Sequence, residues 1–227
     1  MIRYADDFVV LCKTKEDAQQ VYTLIEPYLE ERGLKLAEDK TLITPLKKGF
    51  DFLGFNIREY QTQNGHKVLN KPSKDRIKRL KSKIRILFLK YRSSGNIEEL
   101  IEKLNSLIIG TANYWKQSSA KKAFDEIDNY VWTLTYRYLS RQHPNKSWDW
   151  IRDKYFKEDY YHKHDDNYIL TSPENPKIQL VKMKWVHINY ARMIKYNCNP
   201  YDPEYKEYIK KAFKKTPFEC LYHKDKK

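Results

Sequence analysis

Glycine is scarce in this chain, six in 227 residues, and cysteine is scarcer at three. So little glycine leaves no glycine-rich loop to cradle a phosphate, and it tilts the chain toward helix. Cys12, Cys198 and Cys220 form no CxxC pair and leave an odd thiol, so the cysteines read as reduced cytosolic thiols. No apolar run reaches the length of a conventional transmembrane helix. No secretory signal is visible, no Ser/His/Asp nucleophile arrangement stands out, and there is neither an internal repeat nor a low-complexity tract.

Present instead are large amphipathic side chains and positive charge. Apolar residues make up 41% of the chain, enough for a core, with 19 Tyr and 5 Trp. The formal net charge of +14 points to a polyanionic partner. That charge is concentrated. Residues 1–59 carry 9 basic and 11 acidic side chains, whereas residues 71–92, KPSKDRIKRLKSKIRILFLKYR, carry 10 basic and one acidic, a net of +9. Within this segment Ile77, Leu80, Ile84, Leu87 and Tyr91 recur at steps of three and four, which predicts a helix with one apolar face and a cationic remainder. Such a helix suits a nucleic acid or an anionic membrane surface, or it simply faces water.

At the start, IRYA and FVVLC are β-rich runs on either side of Asp6 and Asp7, consistent with a hairpin that presents both carboxylates at its turn. Thr14 is placed as an N-cap, with Asp17 positioned to complete a capping box. The helix that follows would bury Ala18, Val21, Tyr22, Ile25, Tyr28 and Leu29 and end at Gly33. LKLAEDKTLITPL and FDFLGFNIREY read as strands, and Asn64-Gly65 as a hairpin turn. From Ser73 to about His143 the pattern is helical. One helix uses Leu100, Leu104, Leu107, Ile108 and Trp115, and the next uses Phe124, Ile127, Val131, Leu134 and Tyr138, with turns at Gly95-Asn96 and KQSSAKK. The remainder is mixed and proline-bearing, and the fold class is α+β.

Two carboxylates on one hairpin suit Mg²⁺, which takes one or two carboxylates and completes its octahedron with water and phosphate oxygens. RYADDFVVLCKT, then GLKLAEDKTLIT, then GFDFLGF resemble, in order and spacing, the second half of the palm of group II intron-encoded reverse transcriptases. The resemblance implies that Asp6 and Asp7 are catalytic metal ligands for Mg²⁺. It implies that Lys40 is catalytic, lying near the incoming nucleotide as an acid, and that Phe52, Leu53, Gly54 and Phe55 grip the primer end. LNSLIIGTANYW and IDNYVWTLTYRYLSRQHPNKSWDWIRDKYF resemble the maturase or thumb segment that binds intron RNA, with Asn113, Tyr114, Arg141, His143, Pro144, Lys146 and Trp150 as landmarks. Two departures stand out. Ile109 occupies a position usually Arg, and Thr111 one usually Trp. KMKWVHINYARMI and NPYDPEYKEYI resemble the region that precedes an HNH nuclease in many members; Cys220 and His223 lack that nuclease's context and read as an unstructured tail.

The expected organisation is a partial palm at 1–72, a helical maturase domain at 73–156 and a mixed segment at 157–227. The family's further metal-binding Asp and its fingers lie upstream of the Tyr-Ala-Asp-Asp hairpin, so polymerisation is expected to need an upstream polymerase half; Met1 falling inside the first strand suggests a split or truncated frame, and a non-functional remnant is the third reading. Expected partners are group II intron RNA, contacted by Lys78, Arg79, Lys81 and Arg85 beside the landmarks above, and a DNA primer or target, with no membrane. The expected setting is the bacterial cytoplasm or an organelle. Exposed Tyr114, Tyr136 and Trp148 are candidates to stack on unpaired bases, whereas Trp115 falls at a core position. His162, His164, Asp165 and Asp166 sit close enough for a metal clamp but lack further ligands at zinc spacing, which favours a polar loop.

Overall fold

The computed structural model describes residues 1–37, 41–63, 65–189, 198 and 202–208. Lys40, Asn64, Cys220 and His223 lie outside the described residues. The chain divides into two compact units, Met1–Lys83 and Ile84–Lys227.

In the first unit, β1 (Ile2–Tyr4) and β2 (Asp7–Val9) form an antiparallel hairpin, followed by α1 (Lys15–Glu30). The capping box predicted for Thr14 and Asp17 is present in both directions, each bond 3.1 Å, and Gly33 leaves the helix at φ +68°. A three-stranded antiparallel sheet follows, in the order β3 (Phe50–Phe52), β4 (Phe55–Thr62), β5 (Gly65–Pro72). Two expectations change here. Residues 34–37 and 41–46 form no strand, although the Leu46 carbonyl accepts from the Glu59 N–H of β4 at 3.0 Å. Gly65, at φ +99°, pairs with Thr62 and opens β5 rather than forming the turn's centre.

Among the described residues up to 71, none is fully buried. The residues expected to form the buried face of α1 are half-covered at best, and Tyr28 is 56% exposed. Ile2, Tyr4, Leu11, Leu24, Leu34 and Leu42 are likewise exposed.

Helix α2 (Lys74–Lys90) crosses the division between the units. Its predicted stripe forms: Leu80, Ile84 and Tyr91 are buried, Ile77 and Leu87 half-buried, and Phe88 joins them.

The second unit is built on α3 (Ile97–Trp115), α4 (Lys121–Gln142) and α5 (Trp148–Tyr155), with a two-stranded ribbon of β6 (Phe156–Lys157) and β7 (Ile169–Leu170). Its core contains Leu100, Leu104, Ile108 and Trp115 from α3 and Phe124, Ile127, Val131 and Tyr138 from α4, the positions that helical periodicity selects apart from half-buried Leu107 and Leu134. The chain beyond α5 is held to this bundle by polar side chains acting on backbone. The Asn105 side chain donates to the Gln179 carbonyl and accepts from the Val181 N–H, both at 2.8 Å. The Asp128 carboxylate accepts from the N–H groups of Met183 and Lys184; burial of the carboxyl outweighs these bonds and raises its pKa. No described helix is long and apolar enough to cross a membrane.

Candidate nucleic-acid interface

The β1–β2 register pairs Tyr4 with Asp7, so only Ala5 and Asp6 form the loop. Ala5 takes φ +50°, a left-handed backbone that is costly for a residue with a Cβ. The Arg3 guanidinium steadies the turn by donating to the Ala5 carbonyl at 2.9 Å. Asp6 therefore stands at the tip and Asp7 opens the next strand, both exposed. Among the described residues no three His, Cys, Asp or Glu side chains converge where an ion would bind. Two exposed carboxylates on one hairpin are fewer than the converging ligands that a two-metal centre requires.

The FLGF segment is a second two-residue hairpin turn. Phe52 pairs with Phe55, and Leu53 and Gly54 take φ +50° and +81°, the left-handed pair that suits the twist of flanking strands. Gly54 is needed for a further reason. A Cβ there would lie 2.9 Å from Nε of Arg76, which packs against the turn. The Gly54 carbonyl accepts from the Ser73 N–H, and the Ser73 hydroxyl accepts from the Arg76 N–H. The start of α2 is thereby fastened to the turn, and Arg76, part of the basic run but not singled out by its pattern, is the side chain that fills the space.

Along α2, Lys78, Arg79 and Arg85 are exposed and Lys81 is half-buried. Asp75, the one acid in the basic segment, is held by Arg79 at 2.7 Å, an exposed pair of small energetic weight.

In the second unit, His143 and Lys146 come together with Trp150. The imidazole lies 2.7 Å from the Tyr155 hydroxyl and meets Trp150 edge-on at 5.1 Å. The ammonium groups of Lys146 and Lys154 lie 5.1 and 5.0 Å from the centre of that indole, within cation–π range. Burial, then the nearby Lys154 and Lys146, push the His143 pKa down, so the neutral imidazole is favoured. Lys154 was legible in principle as the residue one helical turn after Trp150; Tyr155 had no local signal. Asn113 and Tyr114 lie in the last turn of α3 and Arg141 in the last turn of α4. Tyr114 and Arg141 are exposed, while Asn113 accepts from Lys116 at 3.0 Å. The Thr111 hydroxyl is turned back on the Leu107 carbonyl at 2.8 Å, and Ile109 is half-buried.

Trp148 is half-buried and stacks on Trp132 at 5.4 Å, with Tyr136 at 4.7 Å from it. Its role is packing within an aromatic group that continues to Phe156 and Tyr168. The His162–Asp166 segment is a structural loop. The Asp159 carboxylate accepts from the N–H groups of Tyr161, Lys163 and His164, His164 stacks on Trp185 at 4.2 Å, and Asp166 pairs with Lys182 and Lys184.

Residues 77–156 match the family model of the group II intron, maturase-specific domain. Residues 1–57 match that of reverse transcriptase (RNA-dependent DNA polymerase). Over these two segments, in this order, the chain is similar to the group II intron reverse transcriptase and maturase family. Two curated relatives, both described as group II intron-encoded protein LtrA, come from Lactococcus lactis subsp. cremoris and its strain MG1363. Each is 28% identical over 164 residues, covering 61% of this chain and 27% of the relative. The chain therefore spans about a quarter of the length of these relatives. The maturase match contains Lys78, Arg79, Lys81 and Arg85 of α2 and the His143–Lys146–Trp150 cluster. The reverse transcriptase match, whose family is metal-dependent, contains Asp6, Asp7 and the FLGF turn.

Proposed function

We propose that this chain binds group II intron RNA through its maturase segment, in support of intron splicing. The observation that carries this reading is α2, which buries its apolar stripe and leaves cationic side chains exposed. The His143–Lys146–Trp150 cluster, with Tyr114 and Arg141, adds aromatic and cationic surface suited to unpaired bases and phosphates. Asn113 belongs to the same proposed contact set. Binding of a folded group II intron RNA, measured by filter retention from 50 to 300 mM salt, is expected to weaken with a log–log slope of about −5 or steeper. A salt-independent affinity, or none above that for a mixed-sequence duplex, overturns the reading.

In the polymerase segment Asp6 and Asp7 are proposed as Mg²⁺ ligands, Lys40 as a residue near the nucleotide, and Phe52, Leu53, Gly54 and Phe55 as the primer grip. One observation favours a second role, as one half of a two-chain polymerase acting on a DNA primer: among the described residues up to 71 no side chain is buried, and Ile2, Tyr4, Leu11, Leu24, Leu34 and Leu42 are exposed. Coexpression with a chain carrying fingers and the remaining palm is expected to give a stable pair with Mg²⁺-dependent primer extension that Asp6→Asn abolishes. Two folded chains that neither associate nor extend a primer would exclude it.

A further inference from the structure

The sheet of the first unit has two unlike faces. Side chains alternate along a strand and match across a register pair. Phe50, Phe52, Phe55 and Ile57 therefore share one face, and Arg58, Tyr60, Lys67 and Lys71 share the other. On that second face Tyr60 is directly opposite Lys67. The Lys71 ammonium lies 3.7 Å from the centre of the Tyr60 ring, and the Arg58 guanidinium 5.6 Å from it. Arg58 also donates Nε to the Lys47 carbonyl at 2.8 Å, which brings the exposed Lys47–Lys48 loop to the same edge. One acid shares the face, Asp51, and its carboxylate accepts from the Asn56 amide at 2.6 Å. Glu59 is on the reverse, paired with His66 at 3.5 Å. Among the described residues none of the three cations is in an ion pair.

We infer that this face is a second RNA-binding surface, one that takes the phosphodiester backbone of an extended strand across Arg58, Lys67 and Lys71. Most of it lies between the two family-matched segments, in residues 58–71, and on a different element from α2, so it goes beyond the maturase reading. Three cations on a rigid antiparallel ladder are pre-organised. Lys67 and Lys71 stand about 13 Å apart along one strand, with Arg58 on the adjacent strand between them. Tyr60 is the positioning residue, because its ring holds two long cationic side chains that would otherwise lose rotamer freedom on binding. Charge selects a polyanion, and the face carries no large exposed apolar side chain to anchor in a bilayer, which selects nucleic acid over lipid.

The test measures the full chain binding fluorescent oligouridine and, in parallel, phosphatidylserine vesicles. Lys67→Gln combined with Lys71→Gln is expected to weaken oligouridine binding roughly tenfold and to make the salt slope shallower by about 1.4, at 0.7 per lost phosphate contact on a single strand. Tyr60→Ala is expected to give a smaller loss and Tyr60→Phe none, since the phenyl face keeps the platform. Glu59→Gln with His66→Gln, on the reverse face, is expected to change nothing. An unchanged slope in the double lysine variant overturns the inference, as does an equal loss of vesicle binding. So does an equal loss from Tyr60→Phe and Tyr60→Ala. A chain that holds oligouridine through this face but shows no preference for intron RNA leaves the inference standing and sinks the maturase reading.

Discussion

Changing Lys78, Lys81 and Arg85 together to glutamate is expected to lower affinity for folded intron RNA by roughly 10³-fold and to make the salt slope shallower by about 3. Each lost charged contact is worth about 1.5 kcal/mol at the low end, and each neutralised phosphate accounts for about one unit of slope. Net charge falls by six in this variant, so a control is needed. Glutamate at Lys13, Lys15 and Lys35, all exposed in the first unit, makes the same change in total charge away from α2. If α2 makes the contacts, the control retains most of the slope. Equal losses from the two variants would mean that the protein's overall field, rather than this helix, binds the RNA.

Phe124→Ala is expected to destabilise the helical unit by about 3–5 kcal/mol, a large part of the total stability of an ordinary domain. Phe124 is 2% exposed and sits in the first turns of α4, so deletion of the ring leaves a cavity with little freedom to collapse. The midpoint of urea unfolding should drop while its slope is kept. A shift under 1 kcal/mol would show that this ring does not fill the core.

Helical parts of the fold were legible because their information is local. Steps of three and four picked out the stripe on α2 and the faces of α3 and α4, and Thr14-x-x-Asp17 announced a helix start that the structure caps from both sides. Trp115, at a core spacing, is 2% exposed. The failures concern partners distant in sequence. Residues 34–37 and 41–46 have strand-like composition but form no strand, a single backbone bond from Glu59 to Leu46 being no ladder, and β-structure needs a paired neighbour more than a propensity. Trp148 looked free beside Lys146 and Arg152, but Trp132, sixteen residues earlier, stacks on it. Of the candidate site, the hairpin that presents Asp6 and Asp7 was legible from two flanking β runs, whereas FDFLGFNIREY reads as one strand and is broken into two by the tight turn at Leu53-Gly54. Nothing local announced that Arg76 fills the space beside Gly54, or that Tyr60, Lys67, Lys71 and Arg58 share one face; that emerges only once the register of β4 and β5 is known.

That no described residue up to 71 is buried bears on how the two units tolerate sequence drift. In the helical unit the constraint is volume: Leu104, Ile108, Phe124 and Ile127 are enclosed, and most replacements there either open a cavity or overfill it. In the first unit few side chains are constrained by volume, and the positions that resist replacement are those with demanding backbone geometry. A Cβ at Gly54 would meet Arg76, a Cβ at Gly49 would lie 2.8 Å from Cβ of Arg58, and both glycines hold positive φ. Drift in that unit is therefore filtered by conformation at a few turns rather than by packing.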